Sequence, residues 1–322
     1  MKGKERIHIV ACFDKGYVMP TGVTIYSACV NNPDSDIDFH MVVDESVSDS
    51  DKNVLRDTIS KFEGKRALFY SVNSHVYDKM PLTNSKWLTR ATYYRIFLPE
   101  ILPDSVHKVI YLDGDCTVRH SLMSLWNTDV SDCAIGTVFN AFEGEIERFN
   151  RLRYSPDYGY FNAGVLLINL DYWRKQQVVN SLIEYINKYP ERIAFEDQDV
   201  MNVVLKDAKK PLHPKFNFQT DMLRRTPCFY YWKYEDEVKE AIADPVIIHF
   251  TTREKPWHAY VRFPHPFRST YYKYQNQTIW KGVKIENRNL KKRLRNHTGD
   301  FLRKIKVLPS RKSIYIELPP ID

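Results

Sequence analysis

Two carboxylates one residue apart, Asp113-Gly114-Asp115, directly follow the apolar run Val109-Ile110-Tyr111-Leu112. Side chains at i and i+2 can reach one ion around a turn. Their hard oxygens suit Mg²⁺ or Mn²⁺, and those ions in turn suit a diphosphate. Solvated surface loops carry the same pair, so the motif alone leaves both readings open. A second cluster, His249-Phe250-Thr251-Thr252-Arg253-Glu254-Lys255-Pro256-Trp257, also follows an apolar run. An imidazole at His249 could complete a carboxylate site and favour Mn²⁺ over Mg²⁺, while Lys255 could hold a phosphate as a point charge. The alternative is a packed loop with a hydrogen-bonded structural histidine and a core tryptophan.

Phe161-Asn162-Ala163-Gly164 combines small residues, where backbone can approach a ligand closely, with an amide that both donates and accepts. That suits a polyhydroxylated ligand, and a tight entry into a strand would explain it equally well. Glu196-Asp197-Gln198-Asp199 precedes an apolar stretch, so its acids would gather in the first turn of a helix, where favourable helix-dipole interactions alone could account for them.

The elements that must position these groups alternate. Strands are predicted at Ile7 to Ala11, Ile37 to Val43 and Ala67 to Val72, with helices near Gly22 to Val30 and around Leu55, Thr58, Ile59 and Phe62. Further strands are expected at Val109 to Leu112, Ala134 to Phe139, Val165 to Ile168 and Val246 to Ile248. A helix after Asp171 buries Val179, Leu182, Ile183 and Ile186. This βαβαβ opening predicts an α/β fold, a doubly wound and mostly parallel sheet whose ligands bind at the carboxyl ends of strands.

At 322 residues and 43% apolar content the chain can bury a substantial core. No apolar run reaches the length of a membrane span and the N-terminus lacks a signal-peptide apolar region, so a cytoplasmic protein is expected. The five cysteines, Cys12, Cys29, Cys116, Cys133 and Cys228, form no Cys-x-x-Cys pair, which argues against a disulfide framework or a zinc knuckle. Charge is uneven: residues 262–322 hold 15 Lys and Arg against 4 Asp and Glu, while the whole chain carries only +7. Prolines 256, 264 and 266 break the pattern where the composition turns basic and aromatic. The chain therefore divides near residue 260, with an α/β body at 1–260 and a basic aromatic segment at 261–322.

Taken together, Tyr111 to Asp115, Tyr160-Phe161-Asn162-Ala163-Gly164-Val165-Leu166-Leu167-Ile168-Asn169-Leu170, Asp197-Gln198-Asp199 and His249-Phe250 through Lys255-Pro256-Trp257-His258 resemble glycosyltransferase family 8 over about residues 6 to 258. Its bacterial lipopolysaccharide galactosyl- and glucosyltransferases look nearest. The resemblance implies a nucleotide-diphosphate-sugar transferase fold of the GT-A type and a retaining transfer of a hexose, glucose or galactose, from a UDP-sugar to a saccharide acceptor. It implies Mn²⁺, with Mg²⁺ as the alternative, held by Asp113, Asp115 and His249, and diphosphate on Lys255. Asp14 and Tyr17 then match the uracil site, and Arg95 a donor-contacting arginine. Gly114, Asn140, Asn162, Ala163, Gly164, Asp197 and Gln198 complete the donor site, with Gln198 and Asp197 as the catalytic pair. Two positions depart from near relatives: Gly16 replaces a polar ribose contact, and Asn140 stands at an aspartate position.

The basic segment is expected to meet an anionic membrane surface, placing the enzyme peripherally on the inner face near a lipid-linked acceptor in lipopolysaccharide or other surface-glycan synthesis. No nucleic-acid partner is expected. Two rival readings are a self-glucosylating primer enzyme using one of 21 tyrosines, and a membrane or nucleic-acid binding module with an inactive core.

Overall fold

The computed structural model describes residues 6–73, 80–81, 90–141, 145–225, 233–286, 290–309 and 312–318. Strand β1 (Ile7–Phe13) shows how the period of two builds the molecule. It sends Ile7, Ile9, Ala11 and Phe13 into one core layer and Val10 into another on the opposite face. The first layer is closed by helices α1 (Val18–Val30) and α2 (Asp49–Ser60). Ser48 and Asp51 form a reciprocal capping box that starts α2. Helix α1 begins four residues before the predicted Gly22, because Pro20 falls in a first turn that has no need of its missing N–H.

Strands β2 (Ile37–Val43), β3 (Lys65–Ser71) and β4 (Lys108–Leu112) run parallel to β1. Short helices α3 (Leu98–Ile101) and α4 (Met123–Trp126), strand β5 (Cys116–Val118), strand β6 (Ile135–Phe139) and helix α5 (Glu145–Leu152) follow. Next come β7 (Phe161–Asn169), helices α6 (Leu170–Lys175), α7 (Val178–Lys188) and α8 (Glu196–Val204), and the edge strand β8 (Lys209–Pro211). The seven-stranded sheet has the order β3-β2-β1-β4-β7-β6-β8. It is mostly parallel, as expected, with β7 antiparallel to both β4 and β6. Helix α5 does not carry the chain back across the sheet, so β7 starts at the edge where β4 ends. Asn162, Ala163 and Gly164 thereby arrive beside Asp113.

A small second sheet, unforeseen in the sequence, sets β10 (Ile247–His249) between β5 and β9 (Phe218–Gln219). Its register places His249 opposite Cys116 and beside Gln219. Helix α9 (Glu235–Ala243) lies before β10, and α10 (Arg268–Gln275) and α11 (Leu290–Lys304) after it.

Much of the chain beyond residue 260 shares the core of the sheet. Phe267 and Tyr271 are fully buried and Tyr274 nearly so, all in the same layer as β1 and α1. The Trp280 ring lies against Gly22 of α1, where an added Cβ would come within 2.3 Å of it. Tyr315 is buried and bridges to Arg224. Helix α11 runs unbroken through Gly299 and exposes Phe301, and just past its end Ile305 and Val307 are exposed as well. The side chains of Leu290 and Leu294 lie outside the described residues.

Candidate active site

Asp113 and Asp115 flank Gly114 between β4 and β5, and each carboxylate is anchored through one oxygen. Tyr111 donates its hydroxyl to Asp113 Oδ1 at 2.8 Å, and Arg95 Nη2 lies 3.2 Å from the same atom. Lys255 Nζ sits 2.6 Å from Asp115 Oδ2 and also donates to the Phe250 carbonyl at 2.6 Å. The remaining oxygens turn toward His249: Asp115 Oδ1 is 3.1 Å and Asp113 Oδ2 3.8 Å from Nε2.

The histidine's tautomer follows from a chain of amides. Asn162 Oδ1 accepts from the Gly164 N–H at 3.0 Å and from Asn217 Nδ2 at 2.9 Å. Asn217 Oδ1 is thus left to accept from His249 Nδ1 at 2.9 Å. A proton on Nδ1 points the Nε2 lone pair at two carboxylate oxygens. Three ligand-type atoms face one another here, and Asp115 Oδ1 is buried with no well-aligned hydrogen bond among the described residues. Two carboxylates and an imidazole are the donor set of a divalent ion, and the buried Asp115 Oδ1, 3.1 Å from His249 Nε2, fits that use, with Asp113 Oδ2 further off at 3.8 Å. Burial alone would raise the Asp115 carboxyl, but the Lys255 ammonium beside it holds it well below the usual carboxylate range.

Two glycines make room for this arrangement. A Cβ on Gly164 would lie 2.1 Å from His249 Cε1 and 2.8 Å from Asp113 Oδ2, and one on Gly114 would lie 2.3 Å from Thr21 Oγ1. Cys116 also belongs to the neighbourhood, since ligand atoms of Asp115, Cys116 and His249 all lie within 4.8 Å of one another. Burial, reinforced by Asp115 and Asp113, pushes its thiol well above the usual range, which keeps it protonated and a poor ligand. A second group with ligand spacing, His8, Asp38 and His40, lies on the first half of β1 and β2, where Arg6 and Arg66 already occupy the Asp38 carboxylate. A groove of about 920 Å³ near His8, Lys108 and Asn169 lies at that far edge, and none of Asp113, Asp115, His249 and Lys255 lines it.

Beside the metal-type cluster, buried Arg95 joins Asp113 to Asp197. Its Nε is 2.9 Å from Asp197 Oδ2, its Nη1 donates to the Ala163 carbonyl at 2.6 Å, and its guanidinium stacks 4.3 Å from the Tyr111 ring centre. Asp197 also accepts from the Thr92 hydroxyl. Burial outweighs Arg95 here and pushes the Asp197 carboxyl up to about 6. Gln198 is clamped at both ends: Oε1 accepts from Ala163 N at 2.9 Å, and Nε2 donates to the Tyr160 hydroxyl at 3.1 Å. Tyr160 in turn donates to Asp199 Oδ1 at 2.8 Å. Asp199 is a fully buried hub that also accepts from Ala194 N, Phe195 N and Arg151.

The other predicted residues lie on the same edge with looser ties. Asp14 follows β1 and caps its own turn, accepting from Gly16 N at 2.9 Å. The Tyr17 ring stands edge-on to Trp257 at 6.1 Å, and burial, then Asp115, keeps its phenol protonated. Asn140 directly follows β6; its N–H donates to the Tyr160 carbonyl, and its Nδ2 is buried without a partner among the described residues. Sequence reasoning missed Asn217, Thr92 and the role of the Tyr160 hydroxyl. No motif marks Asn217, whereas Thr92 opens the segment Thr92-Tyr93-Tyr94-Arg95 and Tyr160 directly precedes Phe161-Asn162, the places from which each could have been suspected.

Comparison with known proteins follows the same lines. The family described as glycosyl transferase family 8 matches residues 8–260. General stress protein A of Bacillus subtilis is 30% identical over 287 residues, covering 88% of this chain and 98% of that protein. Lipopolysaccharide 1,3-galactosyltransferase of Salmonella typhimurium is 29% identical over 269 residues, covering 81% and 75%. Among solved structures, galactosyltransferase LgtC in complex with donor and acceptor sugar analogs superposes with a TM-score of 0.74 at 25% identity, over 89% of this chain and 99% of that one.

Proposed function

The chain belongs to glycosyltransferase family 8, and from that premise we propose that it transfers glucose or galactose from a UDP-sugar to a saccharide acceptor with retention at the anomeric carbon. It is a glycosyltransferase with the GT-A fold; the donor, ion and stereochemistry are the proposal. The observation that carries it is the convergence of Asp113 Oδ2, Asp115 Oδ1 and the His249 Nε2 lone pair beside Lys255. In this reading the three side chains hold Mn²⁺, or Mg²⁺ in its place, which when bound neutralises the diphosphate as it leaves. Lys255 supplies a second positive charge to the same oxygens.

Arg95, Asp197 and Gln198 orient the transferred sugar in this account. An amide is a poor nucleophile, and Gln198 is already clamped by Ala163 and Tyr160, which supports same-face attack over a covalent intermediate on this residue. Asp197 is bound to Arg95 and Thr92, which supports an orienting role and electrostatic support of oxocarbenium character. Tyr17 and Asp14 receive the uracil. The orphaned Asn140 Nδ2 offers a hydrogen bond to the donor.

The acceptor is proposed to be lipid-linked, with the enzyme peripheral on the cytoplasmic face of the membrane. Lys304 and Lys306 beside exposed Phe301, Ile305 and Val307 support that attachment. Among the described residues no helix is long and apolar enough to cross a membrane. The test is a screen of UDP-glucose, UDP-galactose and other donors for UDP release with Mn²⁺, with and without glycosides. Absence of turnover on every UDP-sugar would defeat the reading.

A further inference from the structure

Solitary surface phenylalanines are ordinary and need no account. Phe195 differs in where it stands and in how it is held. It immediately precedes Glu196-Asp197-Gln198 at the start of α8 and is 39% exposed, whereas Glu196 and Asp197 are buried. Three features fix it there. Its N–H donates to the buried Asp199 carboxylate at 2.7 Å. Glu196 takes a left-handed backbone conformation, φ 41°, which an L-residue adopts only at a cost. That turn separates the exposed ring of Phe195 from the buried carboxylate of Asp197. The ring also shares a guanidinium: Arg148 of α5 lies 4.3 Å from the Tyr160 ring centre and 5.4 Å from that of Phe195. Tyr160 is the residue whose hydroxyl holds Gln198. One network therefore sets both the sugar-orienting amide and a half-exposed aromatic face next to it.

A pyranose presents one face of C–H groups and a rim of hydroxyls, so it is bound by an apolar ring surface with polar groups around it. An aromatic side chain supplies a large rigid area at small entropic cost. The donor sugar is assigned to the buried side of this turn, with Asp197 and Gln198. The exposed side is where a second saccharide must lie if its hydroxyl is to reach the same anomeric carbon. We infer that Phe195 is the stacking platform for the acceptor saccharide, held in place by Arg148 and by the turn at Glu196. This rests on the glycosyltransferase reading above and adds the acceptor side of the site.

The test is steady-state transfer by the full chain, using whichever UDP-sugar it turns over and a panel of methyl β-glucosides, methyl β-galactosides and methyl β-lactoside. Phe195→Ala is expected to raise the acceptor KM tenfold or more while the UDP-sugar KM moves less than twofold. Phe195→Trp is expected to restore the acceptor KM to within about threefold of the parent protein. An acceptor KM that moves less than threefold in Phe195→Ala overturns the assignment, as does an equal rise in both KM values. Donor turnover that no glycoside accelerates in the parent protein counts against it as well. A chain that turns over no UDP-sugar at all would instead refute the reading on which the inference rests.

Discussion

His249 Nδ1 and Asn217 Oδ1 lie 2.9 Å apart, and this contact decides which nitrogen of the ring is available to an ion. Outer partners of this kind orient a metal-binding imidazole and typically contribute 10–100-fold to affinity. Asn217→Ala is therefore expected to weaken Mn²⁺ binding by about 10- to 100-fold while the fold persists. Manganese titration monitored by calorimetry checks this, with circular dichroism as the control. Unchanged affinity in a folded variant would mean that Asn217 does not set the ring.

Lys255 pairs with Asp115, so its removal has two consequences. The Asp115 carboxyl loses its strongest stabilising charge and rises toward the ordinary range. The departing diphosphate loses a cation that matters most once charge has built up. Lys255→Ala should lower kcat by about 10²- to 10³-fold, as loss of one charge-stabilising donor does elsewhere. A rise in KM with kcat intact would reduce the lysine to a uniform binding contact.

The Asp197 carboxyl is pushed up to about 6, against an ordinary value of 3.8. Its ionised form is the one that pairs with Arg95, so kcat/KM should fall as pH drops through about 6, and Asp197→Asn should abolish that limb with much reduced activity. Stability carries the opposite sign. Between the unfolded and folded values the folded state binds the extra proton, so raising the pH from 3.8 to 6 costs stability, on the order of 3 kcal/mol at the upper limit. Thermal melts of the parent protein and Asp197→Asn across this window should converge at low pH and differ in slope above it. Parallel curves would contradict the shift.

The basic end of the chain gives a separable prediction. Truncation near Phe263 would remove Phe267, Tyr271 and Trp280 from the core, so it cannot isolate a surface role. Reversing the exposed charges, Lys304→Glu with Lys306→Glu, leaves that core intact. Each basic residue near an anionic leaflet contributes about 1 kcal/mol, so the double variant should lose most of its sedimentation with phosphatidylglycerol vesicles at low salt. Equal sedimentation of both proteins would remove the membrane role from this helix.

These predictions also mark what could be read in advance. The strands before Asp113 and His249 were legible because a buried strand writes a continuous apolar run, and carboxylates placed just past it are conspicuous. The direction of β7 was not, since periodicity is identical for parallel and antiparallel pairing, and it is that direction which brings Gly164 against His249. Asn217 lies 32 residues from His249 with no motif between them, so only the fold unites the pair. The aromatic content of the segment after residue 260 did not reveal by itself which rings are buried; in α10 the spacing of three places Tyr271 and Tyr274 together on the buried face.

The central claim is that Asp113, Asp115 and His249 together hold a divalent ion that carries the diphosphate of a UDP-sugar. Calorimetric titration of UDP into the full chain, with Mn²⁺ and with EDTA, tests it most directly. The account predicts binding in Mn²⁺ that EDTA abolishes, and loss of the manganese-dependent part in Asp113→Asn, Asp115→Asn and His249→Ala alike. UDP affinity that is equal in EDTA, or that survives unchanged in all three variants, would contradict it.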